Sequence, residues 1–312
     1  MGNQVRFWLK RTAIRIRQIN SFNKVRVFFY DALTILNDRL PKKSLVLQKI
    51  CRRGLERACL YATKKLSPYF DGEKYNFNGI YLPYKKENTL QLWDVAQDVF
   101  FCYLHNADNY DAHYVNKLDR KLPEGVYCYS DGNAKILISK GNVVLDLGAW
   151  IGDFSAYACH KGATVYAFEP SIENRIELEK TKAYNWGEII IEPFGVGEKT
   201  QELFFATEGN SAGLSFAGDK AASGEMLQVV ALDDWVKDKE FIIDFIKADI
   251  EGYERNMLRG ARNILKEHQP ILSLCTYHLP DDLQVLSNII LESNPNYRII
   301  KRRMKLFAYV PK

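Results

Sequence analysis

The sequence predicts an α/β fold: a mostly parallel sheet with helices on both faces, behind a basic and mainly helical N-terminal extension. Three observations carry this. From about residue 125, short apolar runs alternate with helical patterns, as βαβ units require. A glycine-bearing turn, Asp146-Leu147-Gly148-Ala149-Trp150-Ile151-Gly152-Asp153, separates the first such run from its helix. Charge is also divided: residues 1–70 hold 16 Lys/Arg against 3 acids, a net of +13, whereas residues 71–312 hold 27 against 35, a net of −8.

Residues 4–20, 22–40 and 44–66 read as helices, the last two closed by Pro41 and Pro68. Val5, Trp8, Leu9, Ile16 and Ile19 mix with Lys10, Arg11, Arg15 and Arg17 in the first, a basic amphipathic pattern. It suits an anionic membrane surface or a solvated bundle face equally. Residues 69–86 alternate aromatic and polar residues around Asn78-Gly79, a hairpin signal, and 88–105 carries a helical apolar stripe. The chain then divides into a basic helical region (1–70), a connector with hairpin and helix (71–122) and a main domain (123–312).

In that domain the expected strands are 143–149, 164–170, 188–194, 241–252 and 270–278, with helices over 153–161, 171–186, 254–267 and 281–293. YRIIKR and KLFAYV close the chain with no helix between them, which predicts an antiparallel edge pair. Residues 206–224, rich in Gly, Ala and Ser, read as a loop that closes over a substrate or as ordinary surface.

No run of about 18 apolar residues occurs, so no membrane span is expected. Six cysteines without a C-x-x-C pair, and no N-x-S/T sequon, favour a reducing, cytoplasmic setting. Cys51 and Cys59 lie about 12 Å apart along a helix, too far for a disulfide.

The turn at 146–153 lacks the G-x-G-x-x-G of dinucleotide sites, because Trp150 occupies the position of the second glycine. An Asp two residues before Gly148, with Gly152 beyond, fits S-adenosylmethionine (SAM) better than NAD. Glu169, 21 residues after Gly148 at the end of VYAFEP, can accept both hydroxyls of a ribose.

GNVVLDLGAWIGDFS, VYAFEPS, FIKADIEGYERNMLRGA and LSLCTYHLPDDL together resemble the FkbM family of class I, SAM-dependent O-methyltransferases, over about residues 123–310. The resemblance implies a Rossmann-like, seven-stranded sheet with a reversed hairpin, SAM as methyl donor, and a sugar or glycoconjugate hydroxyl as acceptor. It implies that Asp146, Gly148, Ala149, Gly152 and Asp153 line the methionine end of SAM. Glu169 would hold the ribose, with Pro170, Ser171 and Gly195 towards the adenine. Where the family commonly has Asn, this chain has Trp150, whose backbone stays within the cofactor loop.

Methyl transfer to a hydroxyl needs a proton acceptor at the carboxyl ends of the strands. Asp249 and Glu251 end one strand and project from one face if it stays extended; His278 ends the next. Asp249 or His278 can serve as general base, and the pair can alternatively hold a divalent cation. Adenine and cytosine methylation motifs are missing, so no nucleic-acid partner is expected. The expected partners are the glycan acceptor and, through residues 1–70, an anionic membrane face reached from the cytoplasm. A non-catalytic protein retaining the SAM fold is the competing reading.

Overall fold

The computed structural model of the chain describes residues 69–70, 73–77, 79–83, 127–130, 133–206, 215–216 and 224–311. The helices expected at 4–20, 22–40, 44–66 and 88–105, and Cys51, Cys59 and Cys102, lie outside these residues. No helix among the described residues is long and apolar enough to cross a membrane.

Strands β1 (Tyr69–Phe70), β2 (Lys74–Phe77) and β3 (Ile80–Pro83) form a small antiparallel sheet. β2 turns back into β3 with Gly79 at φ 93° and Phe77 opposite Ile80. β4 (Tyr129–Ser130) and β5 (Lys135–Ile136) make a short ribbon. The expected alternation follows as β6 (Val143–Leu147), α1 (Asp153–His160), β7 (Thr164–Phe168), α2 (Ile172–Tyr184) and β8 (Glu188–Glu192). Then come β9 (Gly195–Gly197), β10 (Gln201–Ala206), β11 (Ser215–Phe216), β12 (Gly224–Ala231) and α3 (Leu232–Trp235). The chain ends with β13 (Phe245–Ala248), α4 (Glu254–Arg259), α5 (Arg262–Glu267), β14 (Ile271–Cys275), α6 (Asp282–Ser293), β15 (Arg298–Arg302) and β16 (Lys305–Tyr309).

Seven of these strands form the main sheet in the order β15-β16-β14-β13-β6-β7-β8. Only β16 runs against the rest, antiparallel to both β14 and β15. The core lies on both faces. Val144, Val165 and Phe245 pack with α1, Leu178 of α2 and Ile80 and Leu82 of β3. Leu145, Ile246 and Leu272, one residue further along, pack on the opposite side with residues of α4, α5 and α6. Period-two alternation between two buried faces explains the continuous apolar runs of β6 and β13.

The structure departs from the sequence expectations in four places. A second sheet, β11-β10-β12-β9, draws its strands from a region where no strand was expected, and Ser215–Phe216 and Gly224 within the 206–224 loop belong to it. The stretch 241–252 contributes only Phe245–Ala248 as strand. The single helix expected at 254–267 breaks at Gly260, where a Cβ would lie 2.1 Å from the Gly197 carbonyl oxygen. The close approach joins the second sheet to the α4–α5 corner. Finally, the hairpin assigned to a connector belongs to the core: β3 buries Ile80 and Leu82, and Tyr81 exchanges backbone hydrogen bonds with the Asn185 amide (2.9 and 2.6 Å).

Gly260→Ala and Gly141→Ala make a discriminating pair. Gly141 sits at φ 85° in open space, so its replacement meets only left-handed backbone strain of about 1–2 kcal/mol. Gly260, at φ −82°, carries no such strain, but its replacement must displace backbone. Urea midpoints should fall distinctly further for Gly260→Ala; equal losses would contradict the close approach.

Candidate active site

β6 and β13 are neighbours from which the sheet grows in opposite directions, so their carboxyl ends bound the crevice where open α/β sheets bind ligands. Leu147 pairs with Ala248 in register, and Asp249 N–H donates to the Leu147 carbonyl at 3.1 Å. The next residue, Gly148, has φ 73°, and a Cβ on it would lie 2.0 Å from the Asp249 carbonyl oxygen. Gly152 has φ 83°, and its Cβ would lie 2.4 Å from Leu178. Both glycines are therefore demanded by protein neighbours as well as by the tight turn. Between them the Gly148 and Ala149 N–H groups donate to the Phe168 carbonyl, both at 3.0 Å. Trp150 takes φ 50°, a left-handed conformation that Asn tolerates far better than Trp.

Beneath this loop lies a buried ionic group. Lys247 Nζ is 2.9 Å from Asp146 Oδ1 and donates to the Gly148 carbonyl at 2.7 Å. Ser155 Oγ donates to Asp146 Oδ2 at 2.6 Å. Burial opposes the charge of Lys247, but Asp146, Asp249 and Asp153 outweigh it and raise its pKa. Asp153 Oδ1 accepts from Phe154 N–H (2.8 Å), while its Oδ2 is buried without a hydrogen-bond partner. Burial, offset in part by Lys247, pushes the Asp153 carboxyl up to about 6. A buried carboxylate with one unmatched oxygen fits a cationic ligand group.

Glu169 is also buried. Its Oε2 accepts from Trp150 N–H (2.8 Å); its Oε1 accepts from Ser171 N–H (2.9 Å) and Asn174 Nδ2 (3.2 Å). Glu169 thus latches the glycine loop to the start of α2, and ribose hydroxyls would share oxygens already in use. Arg175 donates to the carbonyls of Glu169 (2.9 Å) and Pro170, and Ser171 Oγ caps α2 by accepting from Asn174 N–H. Gly195 opens β9 and pairs with Val229 of β12, a backbone role in the second sheet.

At the adjoining strand ends Asp249, Glu251 and His278 come together. Asp249 Oδ2 accepts from Tyr127 OH at 2.6 Å, and its Oδ1 from Tyr277 OH at 3.0 Å. Burial opposes the Asp249 charge, but Lys305, Lys247, Tyr127 and His278 hold its carboxyl well below the usual carboxylate range. The chain leaves extended geometry after β13: Glu251 takes φ 55° and Gly252 φ 95°. The common face expected for Asp249 and Glu251 is lost, yet the turn folds Glu251 back onto the same imidazole. His278 Nε2 lies 3.4 Å from Asp249 Oδ1 and 3.5 Å from Glu251 Oε2, and Nδ1 lies 3.2 Å from Glu254 Oε1. Burial opposes protonation of His278, but Glu254, Asp249 and Glu251 raise its pKa above the ordinary histidine value. Among the described residues one group has metal-ligand spacing: an oxygen of Asp249, one of Glu254 and a nitrogen of His278 lie within 4.8 Å of one another.

The FkbM methyltransferase domain matches residues 146–301, half of the chain, from the buried Asp146 through β15. The chain belongs to the FkbM methyltransferase family. Among solved structures it is similar to an FkbM methyltransferase from Methylobacillus flagellatus, with 24% identity, a TM-score of 0.47, and coverage of 72% of this chain and 55% of that one. This FkbM chain therefore spans about half the length of that relative. It is also similar to fibrillarin from Methanococcus jannaschii (14% identity, TM-score 0.37, covering 63% and 75%). Aeropyrum pernix fibrillarin, solved with bound SAM, is similar at 12% identity (TM-score 0.33, covering 55% and 67%). No curated protein matches the sequence.

Four residues of the FkbM site escaped sequence reasoning: Lys247, Glu254, Tyr127 and Lys305. Lys247 carried a readable signal, being a cation inside the apolar run FIIDFIKADI, where a buried charge needs a partner. Tyr127 and Lys305 arrive from elements remote in sequence and left no local trace.

Asp153 gives a two-sided test. A folded-state pKa raised above the unfolded 3.8 means that ligand-free stability falls as pH rises from 3.8 to about 6 and stays at the lower level above that. Asp153→Asn should therefore raise Tm at pH 8 by about 2–4 °C for each kcal/mol regained. The gain should shrink at pH 5, and SAM affinity should fall. A stability gain equal at both pH values would contradict the assignment.

Proposed function

We propose that the protein transfers a methyl group from SAM to a hydroxyl of a sugar or glycoconjugate. The observation that carries this reading is the convergence of Asp249, Glu251 and His278 at the switch-point crevice, beside a glycine loop whose Asp153 Oδ2 is buried and unmatched. In this reading Asp146, Gly148, Ala149, Trp150 through its backbone, Gly152 and Asp153 hold the methionine end. Glu169 takes the ribose, and Pro170, Ser171 and Gly195 lie towards the adenine. When bound, SAM supplies an electrophilic methyl on a sulfonium, and the sulfur leaves neutral.

The chain's own task is to orient the hydroxyl and remove its proton. Asp249, held far below neutral by its neighbours, accepts protons poorly and serves as a fixed anion that orients the hydroxyl. His278 is the proton acceptor. Its Nε2 is covered, whereas the Glu251 side chain in front of it is 49% exposed. The hydroxyl proton therefore passes to Glu251, whose carboxyl delivers a proton to Nε2. A divalent cation is the other way to balance three carboxylates around one imidazole. Asp249 already accepts from two tyrosines beside Lys305 and Lys247, which favours the proton.

His278 must be neutral to accept, and its pKa is raised. With the acceptor in hand, kcat/KM should climb with pH and level off only above the ordinary histidine value near 6.5. His278→Ala should lose about 100-fold or more in turnover while keeping SAM affinity by calorimetry. Glu169→Ala should show the converse, and chelator should leave turnover intact. Full turnover in His278→Ala would end the proton-acceptor assignment.

We assign the acceptor to the membrane-linked glycan class on the charge of residues 1–70, which also implies peripheral attachment at the cytoplasmic face. Replacing Lys10, Arg11, Arg15 and Arg17 with Gln should reduce co-sedimentation of the full chain with anionic liposomes and leave neutral liposomes unaffected. Unchanged co-sedimentation would remove the head from that role.

A further inference from the structure

We propose that Glu254 is the positioning residue of a carboxylate–imidazole pair, fixing the ring of His278 so that Nδ1 carries the proton and Nε2 receives the one taken from the acceptor. The inference rests on the proton-acceptor role given to His278 above. Glu254 opens α4 and is completely buried. Its Oε1 accepts from Ile250 N–H at 2.9 Å and faces His278 Nδ1 at 3.2 Å, while Oε2 is buried without a hydrogen-bond partner. A buried carboxylate with spare acceptor capacity beside a ring nitrogen holds that nitrogen protonated.

The surroundings allow the ring little freedom. The His278 side chain is only 8% exposed. The Tyr277 ring lies 4.2 Å away, centre to centre. A Cβ on Gly252 would sit 3.5 Å from His278 Cβ, an ordinary van der Waals contact, so the turn packs directly beside the imidazole-bearing residue. On the far side, Leu279 N–H donates to Asp282 Oδ2 (2.7 Å), and Arg255 joins α4 to Asp281 (2.8 Å) and Asp282 (2.6 Å). The short α4 therefore carries both the carboxylate that holds Nδ1 and the arginine that fastens the segment bearing His278.

The charged and titratable groups facing the imidazole are Asp249 and Glu251 at Nε2, Glu254 at Nδ1 and Tyr277 at the ring. Lys305 stands behind Asp249. Of the three carboxylates only Glu254 addresses Nδ1. The proton it retains stays in place throughout turnover, while Nε2 alternates between lone pair and N–H.

Glu254→Gln tests this, because the amide keeps the shape and an oxygen for Ile250 N–H but removes the charge. Histidine ring NMR on the full-length protein should show the His278 pKa falling in the variant. Limiting kcat should drop at least 10-fold, with SAM affinity and acceptor KM within about twofold of wild type. Glu254→Asp, which keeps the charge but shortens the reach, should recover part of the loss. An unchanged His278 titration together with unchanged kcat overturns the proposal. Should Glu254→Gln not fold, wild-type ring nitrogen shifts decide: neutral His278 with its proton on Nε2 overturns the proposal, and on Nδ1 supports it. The ring measurement is independent of turnover, so failure here is distinct from failure of the methyl-transfer reading, which His278→Ala addresses.

Discussion

Lys247 is one ammonium group in the interior of the central strand pair, and much of the site follows from having to accommodate it. Buried cations persist only with close anionic or carbonyl partners. Asp146 lies opposite it in the β6–β13 register, and the Gly148 carbonyl completes its coordination. That register fixes where each strand ends. Asp249 then meets Gly148 backbone to backbone, which explains why residue 148 must be glycine and why the loop turns where it does. The glycine loop and Asp249 thus sit side by side at the carboxyl end of one parallel strand pairing.

The charges divide into two groups with a shared member. Beneath the glycine loop, Lys247 stands among Asp146, Asp153 and, more distantly, Asp249. At the adjoining strand ends, His278 stands among Asp249, Glu251 and Glu254. Asp249 belongs to both fields and is stabilised as an anion by both. A change of charge on either side is therefore felt on the other through a single carboxylate.

The parts of this architecture legible in the sequence were those written in local pattern. The βαβ alternation gave strands β6, β7, β8, β13 and β14, and the uninterrupted YRIIKRRMKLFAYV gave the antiparallel β15–β16 pair. The glycine loop and Glu169 were visible because their spacing is set by one strand–helix–strand unit. What stayed hidden depends on contacts distant in sequence. The second sheet joins β9 to β12 across more than thirty residues, and no segment of it carries a strong period of its own. The break at Gly260 exists because Gly197 packs against it, and a helical pattern read by itself runs straight through. The left-handed turn at Glu251 spoiled the extended-strand argument, although the residue arrived at the expected partner by another path.

The seating of β3 against the glycine-loop half of the domain reaches beyond stability. Ile80 and Leu82 share a core with Phe154 of α1 and Leu178 of α2, the same Leu178 that presses on Gly152. Mechanically, β3 is anchored within two side chains of the glycine loop. A disturbance of β3 would therefore reach the packing beneath Gly152 through Leu178.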